Sequence, residues 1–304
     1  MLKPEYADRI YFLKDRVLCT PPEMDLENAE ILTNGFREFE GEPLVMRKAK
    51  AFRKQCLEKT VRIWDKELIV GCSGSKLRAG ILCADTCWSV LNEELDTISE
   101  RSYDPFHLKD EDRSLFEQKV RPYWKGRSSY EEWMAQIPDD TRDLRDAGVV
   151  YIDRKAVRGF GETTAGYEWL IREGIIGIEE VIRKRRARLD ITVPGDYQKD
   201  YYLESLLIVG DGMKKLSIRY SREAEHLASL AMDGERKREL LEIAEVCLRV
   251  PTHPAQSFRE ALQALYFYQT FIFMEQNAAS YNPGRMDQYL LPYYNADLKS
   301  GAIT

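Results

Sequence analysis

The chain has 304 residues, 44% hydrophobic and 32% charged, the balance of an ordinary globular protein able to bury one large core or two medium ones. With 45 Lys and Arg against 51 Asp and Glu, the net charge of −6 argues against a general nucleic-acid binder. No apolar run approaches the ~18–20 residues of a membrane span, and no signal-peptide pattern opens the chain. Six scattered cysteines (Cys19, Cys56, Cys72, Cys83, Cys87 and Cys247) point to reduced thiols and a cytoplasmic setting.

Helices dominate the predicted elements. Pro4–Cys19 carries Ile10, Phe12, Leu13 and Val17 at helical spacing and stops at Pro21-Pro22. Two amphipathic helices follow, Asp25–Glu40 and Pro43–Thr60, separated by Gly41. Glu67–Gly71 is a short apolar run ending at glycine and predicts a strand. A loop, Ser73–Gly80, holds Gly74, Lys76 and Arg78; a helix over Asp85–Ile98 then puts Trp88, Leu91 and Leu95 on one face. Asp104-Pro105 marks a turn, and Asp110–Val120, Ser129–Ile137 and Asp140–Ala147 read as short helices. After a glycine-containing loop at Arg158–Thr164 come long helices over Gly166–Leu189 and Tyr197–Met232, the second interrupted near Gly210-Asp211-Gly212. Arg236–Leu248 and the apolar Pro254–Met274 precede a final helix opened by Pro283.

Most chemical signals here have ordinary readings. His107, His226 and His253 are far apart and lack metal-ligand spacing, so structural or surface roles are expected. Cys83 and Cys87 are four apart, but no second pair supports zinc. Gly159-Phe160-Gly161 has Thr164 where a dinucleotide fingerprint needs its third glycine. The cluster Arg183–Arg186 with Arg188 reads as a solvated helix end, its cations complementing the helix dipole. The aromatic stripe Phe258–Phe273 reads as core.

Two stretches carry more. Arg158 and Glu162 flank two glycines that allow close backbone approach. A substrate carboxylate or hydroxyl fits between a guanidinium fork and a carboxylate that accepts hydrogen bonds or a proton; the alternative is an ion pair within the loop, worth little if exposed. Glu275-Gln276-Asn277 ends an apolar helix, and polar groups there need partners, a ligand among them.

A series of segments then runs in a recognisable order: Glu67–Gly71, Glu94–Thr97, Asp104–Phe106, Pro122–Gly126, Gly161–Thr164 with Tyr167, Ser257–Gln263, and Pro283–Tyr289 with Pro292. Each is weak alone; together they span nearly the whole chain. They resemble the N-terminal part of a glycyl radical enzyme of the pyruvate formate-lyase superfamily. The likeness is to the dehydratase and carbon–nitrogen lyase branch, with its glycerol and choline enzymes, more than to pyruvate formate-lyase itself.

The resemblance implies an α-rich α/β fold: a helical outer layer and the first strands of a ten-stranded barrel, incomplete in this chain, with residues 1–304 as the N-terminal part of one large catalytic domain. It also implies a glycyl radical installed by a radical-SAM activating enzyme, a thiyl radical on a mid-chain cysteine, and hydrogen abstraction from a small polar substrate in a site closed to water and oxygen. The loops that bear the thiyl cysteine and the radical glycine are absent, so no catalytic residue, metal site or bound cofactor is assigned to this chain, and a homodimer is expected only of the full-length form. What carries over is a pocket wall of Arg158, Glu162, Gln276 and Asn277. Ala278-Ala279 stands where the family often has Gly-His, which suggests a substrate other than glycerol. Thr304 is a favoured helix N-cap type, so the sequence reads as the front of a larger radical dehydratase or lyase. The alternative is a truncated or split non-catalytic subunit that binds a partner carrying the catalytic half.

Overall fold

The computed structural model describes residues 4–150, 163–276 and 280–303. In chain order the elements are α1 (Pro4–Cys19), β1 (Glu23–Asp25), α2 (Glu27–Glu38), α3 (Leu44–Glu58), β2 (Ala79–Ile81), α4 (Ala84–Glu93), α5 (Asp110–Leu115), α6 (Arg121–Trp124), α7 (Ser129–Ala135) and α8 (Asp139–Asp146). Then follow β3 (Thr163–Thr164), α9 (Tyr167–Arg186), α10 (Pro194–Leu230), α11 (Gly234–Arg249), α12 (Phe258–Gln276), β4 (Tyr281–Asn282), α13 (Met286–Tyr289) and α14 (Leu291–Ser300). The chain is α-rich with few strands. No described helix is long and apolar enough to cross a membrane.

One core joins α3, α10, α11 and α12 around Phe52, Leu216, Tyr220, Ile243 and Phe267. A second joins α2, α4 and α6 around Leu26, Phe36, Trp88, Phe116 and Trp124. The predicted face of α4 is buried at Trp88, Leu91 and Leu95. Polar tips inside find partners, as buried polar groups must: Trp124 Nε1 donates to Thr33 Oγ1 at 2.8 Å, and Trp88 Nε1 donates to Glu131 at 2.8 Å. Glu131 also closes the capping box that Ser128 opens at α7. The stripe on α12 is core, with Phe267 and Phe271 buried.

Helix α10 runs unbroken through Gly210-Asp211-Gly212, contrary to the sequence expectation. These glycines are contact points, not breakers. A Cβ on Gly212 would meet Arg53 Cα at 3.0 Å, so glycine lets α10 lie close on α3. Arg53 and Lys215 then pair with Asp211 at 2.5 and 2.8 Å. Arg219 donates to the carbonyls of Cys56 and Lys59 at 2.9 and 2.6 Å, covering the orphan acceptors at the end of α3. Helix α9 bends at Gly174, where residues 251–253 cross it and Pro251 O accepts from Ile175 N at 2.9 Å. The basic end of α9 is only partly solvated. Arg183 and Lys184 are exposed, but Arg186 reaches Asp200 at 2.7 Å and Glu204 at 3.2 Å on α10.

The strand expected at Glu67–Gly71 does not form. Its apolar centre, Val70, is fully buried, but its hydrogen-bonding partner is a side chain. The Gln263 amide accepts from Val70 N at 2.9 Å and donates to Val70 O at 2.6 Å, standing in for a neighbouring strand. The next residues are tied in the same manner. Cys72 N donates to Tyr220 Oη at 2.9 Å, Lys59 Nζ donates to Cys72 O at 2.8 Å, and Asn28 donates to Ser73 O at 2.6 Å. Ser75 N donates to Asp25, and Arg62 donates to Ser75 O at 2.9 Å. Lys59 is fully buried, and that burial lowers its pKa. The loop ends in β2, which pairs in parallel with β1 in the register Glu23↔Ala79, Met24↔Gly80, Asp25↔Ile81.

The final helix expected from Pro283 through Leu290 starts only at Met286, as α13, and a further helix, α14, follows it. The second ends at a left-handed Gly301, with Ala302 N donating to Asp297 O at 2.9 Å and Gly301 N to Leu298 O at 3.2 Å. Thr304 lies outside the described residues.

Candidate functional site

Strands β3 and β4 pair in parallel, Thr163 with Tyr281 and Thr164 with Asn282. One of the two chemically interesting stretches ends directly at β3; the other leads through α12 toward β4. A parallel pair starts both strands at the same end, so the topology joins two regions more than a hundred residues apart in sequence. The turn after β4 closes on β3. Gly284 has φ 71°, and a Cβ there would meet Thr164 Cγ2 at 2.8 Å, so only glycine fits. Asn282 Oδ1 accepts from Gly284 N at 2.7 Å, and Tyr289 Oη donates to Pro283 O at 2.8 Å. Pro283–Tyr289 is thus a turn fitted to the strand pair.

Of the four predicted wall residues, Gln276 is described, on the last turn of α12, which runs two residues further than expected. Arg158, Glu162 and Asn277 lie outside the described residues, as do Gly159–Gly161 and Ala278-Ala279. Gln276 Oε1 accepts from Tyr281 Oη at 3.0 Å, and its amide also hydrogen-bonds Glu275. The Tyr281 ring stands edge-on to Phe273, with centroids 6.4 Å apart. One turn earlier Tyr167 donates to Gln269 and packs edge-on against Tyr268, at 5.0 Å.

A polar group that the sequence reading missed adjoins this end of α12. Lys48 on α3 pairs with Asp85 on α4 and with Glu275 at 3.4 Å. The side chains are 28%, 15% and 31% exposed. Burial pulls Lys48 down, but the two carboxylates outweigh it and hold the ammonium above its ordinary pKa. Glu275 moves up, because burial outweighs the single cation it shares with Asp85. Burial and Glu275 also raise the Tyr281 phenol. Tyr281, Gln276, Glu275, Lys48 and Asp85 therefore form one continuous polar chain. Lys48 was legible in principle: it sits a helical turn from Phe52 on the buried side of an amphipathic helix, where a lysine needs a partner.

Cys83 and Cys87 lie beside this group. Burial, reinforced by Asp85, raises both thiols, Cys87 to about 12, and Cys87 Sγ donates to Cys83 O at 3.7 Å. Burial likewise raises Cys56, Cys72 and Cys247. These cysteines are protonated, unpaired and packed as small apolar residues. No group of His, Cys, Asp and Glu among the described residues could hold a metal ion.

The described residues thus form an α-rich helical shell with a short parallel strand pair and a polar chain beside it. Residues 4–304 match the family described as pyruvate formate lyase-like. The chain is 32% identical to the isethionate sulfite-lyase of Oleidesulfovibrio alaskensis over 98% of its own length and 37% of that protein's. It superposes with a TM-score of 0.94 at 33% identity on a structure describing 1,2-propanediol dehydration in Roseburia inulinivorans, covering 98% of this chain and 35% of that one. On the glycerol-bound, B12-independent glycerol dehydratase from Clostridium butyricum the TM-score is 0.92 at 30% identity, over 95% of this chain and 36% of that one. The chain belongs to the pyruvate formate-lyase-like family of glycyl radical enzymes. It spans a little over a third of the length of the curated relatives it matches.

Proposed function

We propose that this chain is the N-terminal portion of a glycyl radical dehydratase or C–N/C–X lyase acting on a small polar substrate, with residues 1–304 forming part of a single large catalytic domain. The observation that carries this reading is the β3–β4 pair, which joins the two chemically loaded regions of the sequence at the end of α12. On this reading β3 and β4 are the first strands of the family's barrel, with the helices as its outer layer.

In the complete domain the radical, installed by a radical-SAM activating enzyme, supplies hydrogen abstraction. This chain's residues bind and orient. Arg158 holds an anionic or strongly polar group, a task that a planar guanidinium fork suits. Glu162 accepts a substrate hydroxyl or its proton. Gln276 is tethered between Tyr281 and Glu275, so it fixes the wall beside Asn277. The full form works as a cytoplasmic homodimer.

The test is a chimera in which residues 1–304 replace the matched region of the Oleidesulfovibrio alaskensis isethionate sulfite-lyase. It is activated without oxygen by that enzyme's own activating enzyme. A glycyl radical signal by electron paramagnetic resonance and turnover of a small polar substrate are expected, with none from the 304-residue chain alone. Turnover by the chain alone would refute the reading. Arg158→Ala in the chimera should weaken substrate affinity about tenfold or more; unchanged affinity would remove Arg158 from the wall.

A further inference from the structure

At the end of α12 a single cation joins three helices. Lys48 stands on α3 beside the buried Ala49 and Phe52, so its root lies in the core. Its ammonium pairs with Asp85 in the first turn of α4 and, at 3.4 Å, with Glu275 in the last turn of α12. Both contacts suit the helix ends: a carboxylate belongs at the positive N-terminus of α4, and a cation beside the negative C-terminus of α12. Beyond Glu275 the bonds continue. The Gln276 amide nitrogen donates to the Glu275 carboxylate, and the Gln276 carbonyl accepts from Tyr281 Oη at 3.0 Å. Turning that amide over would set its oxygen against Glu275 and lose the donor. Tyr281 in turn pairs with Thr163 across the strands.

We propose that Lys48 is a positioning residue of the substrate wall: acting through Glu275, it fixes which way the Gln276 amide faces and where β4 begins. The inference rests on the N-terminal-portion reading. Three observations favour positioning over a plain surface ion pair. An exposed pair holds little, whereas the side chains of Lys48, Asp85 and Glu275 are all partly buried. An isolated pair ends at its two partners, whereas this one runs on through Gln276 to Tyr281. Its fixed side is α3, the helix on which α10 lies closely at Gly212 and Arg53, so the restraint passes from a firm part of the shell to the tip of α12. Methionine at position 48 would keep the apolar stem and remove the cation; arginine would keep the cation.

The test has two arms. In the 304-residue chain, Lys48→Met should speed amide exchange at 275–276 and 281–282 about tenfold or more, with exchange in α10 and α11 unmoved. It should also shift the side-chain amide signals of Gln276 in a nitrogen-15 NMR spectrum, assigned with Gln276→Ala. Lys48→Arg should restore both. Lys50→Met, on the same helix with its own partner in Glu42, should change neither. In the activated chimera, with isethionate as substrate, Lys48→Met should raise KM about tenfold with kcat changed by less than about twofold, and Lys48→Arg should recover KM. Unchanged exchange and Gln276 signals in Lys48→Met would overturn the proposal, as would failure of Lys48→Arg to restore them, or an active chimera whose KM ignores Lys48. Faster exchange throughout the chain would overturn it too, by showing a general role in stability. A chimera without a glycyl radical would count against the family reading, while the exchange and amide signals of the chain itself would still judge Lys48.

Discussion

The loop at residues 70–75 and the β3–β4 pair hold their backbones by opposite means. The loop has no regular structure, yet Gln263, Tyr220, Lys59, Asn28, Asp25 and Arg62 reach in from separate elements to bond its peptide groups. The strand pair is regular, yet it consists of two residues a side. The irregular piece is bonded by side chains from six positions; the regular piece rests on a single pairing two residues long. Regularity of backbone is therefore a poor guide to which part of a chain stands by itself. What counts is whether buried donors and acceptors find partners.

The largest effect should come from Gln263→Ala, which leaves Val70 N and O both buried and unbonded. A loss of about 2–4 kcal/mol is expected, seen as a fall of about 3–6 °C in melting temperature. A drop of under 1 °C, on the same scale, would mean the loop is not integral and the contrast fails. Tyr220→Phe removes only the acceptor for Cys72 N and should cost about 1–2 kcal/mol in the same melt. Gly284→Ala forces a methyl toward Thr164 at positive φ, at a local cost of about 1–2 kcal/mol. It should speed amide exchange at 163–164 and 281–284 and leave the global melt nearly unmoved. A global loss matching Gln263→Ala would show the strand pair to be as integral as the loop.

The smallest effect concerns Glu275. Its folded pKa is raised, so protonation stabilises the fold. That contribution is fully present below the ordinary carboxyl pKa and is lost as pH rises through the raised one. Glu275→Gln should therefore raise the melting temperature at pH 8 by on the order of 2 °C, with less gain at pH 4. Equal gains at both pH values would show that burial is not what shifts this group.

Much of the helical framework was legible, because apolar residues at 3.6 spacing and flanking prolines speak locally. Pro4–Cys19 appears with the expected bounds. Non-local partners were not legible. Val70 reads as strand because its true partner is a side chain 193 residues away. Gly210 and Gly212 read as breakers because nothing local reveals that Arg53 packs on the second of them. Strands of two or three residues are too short to show a period. The Lys48–Asp85–Glu275 group draws on three separate helices, and only its Glu275 end fell within a stretch singled out from the sequence.

The β3–β4 pair also sets an order of events. The whole of 165–280 lies between its strands, including α9 to α12. Bringing such distant segments together is entropically costly until the intervening helices have condensed. Pairing of Thr163 with Tyr281 should thus come late in folding, making this short ribbon a clock for the shell: where it has formed, α9 to α12 have already assembled.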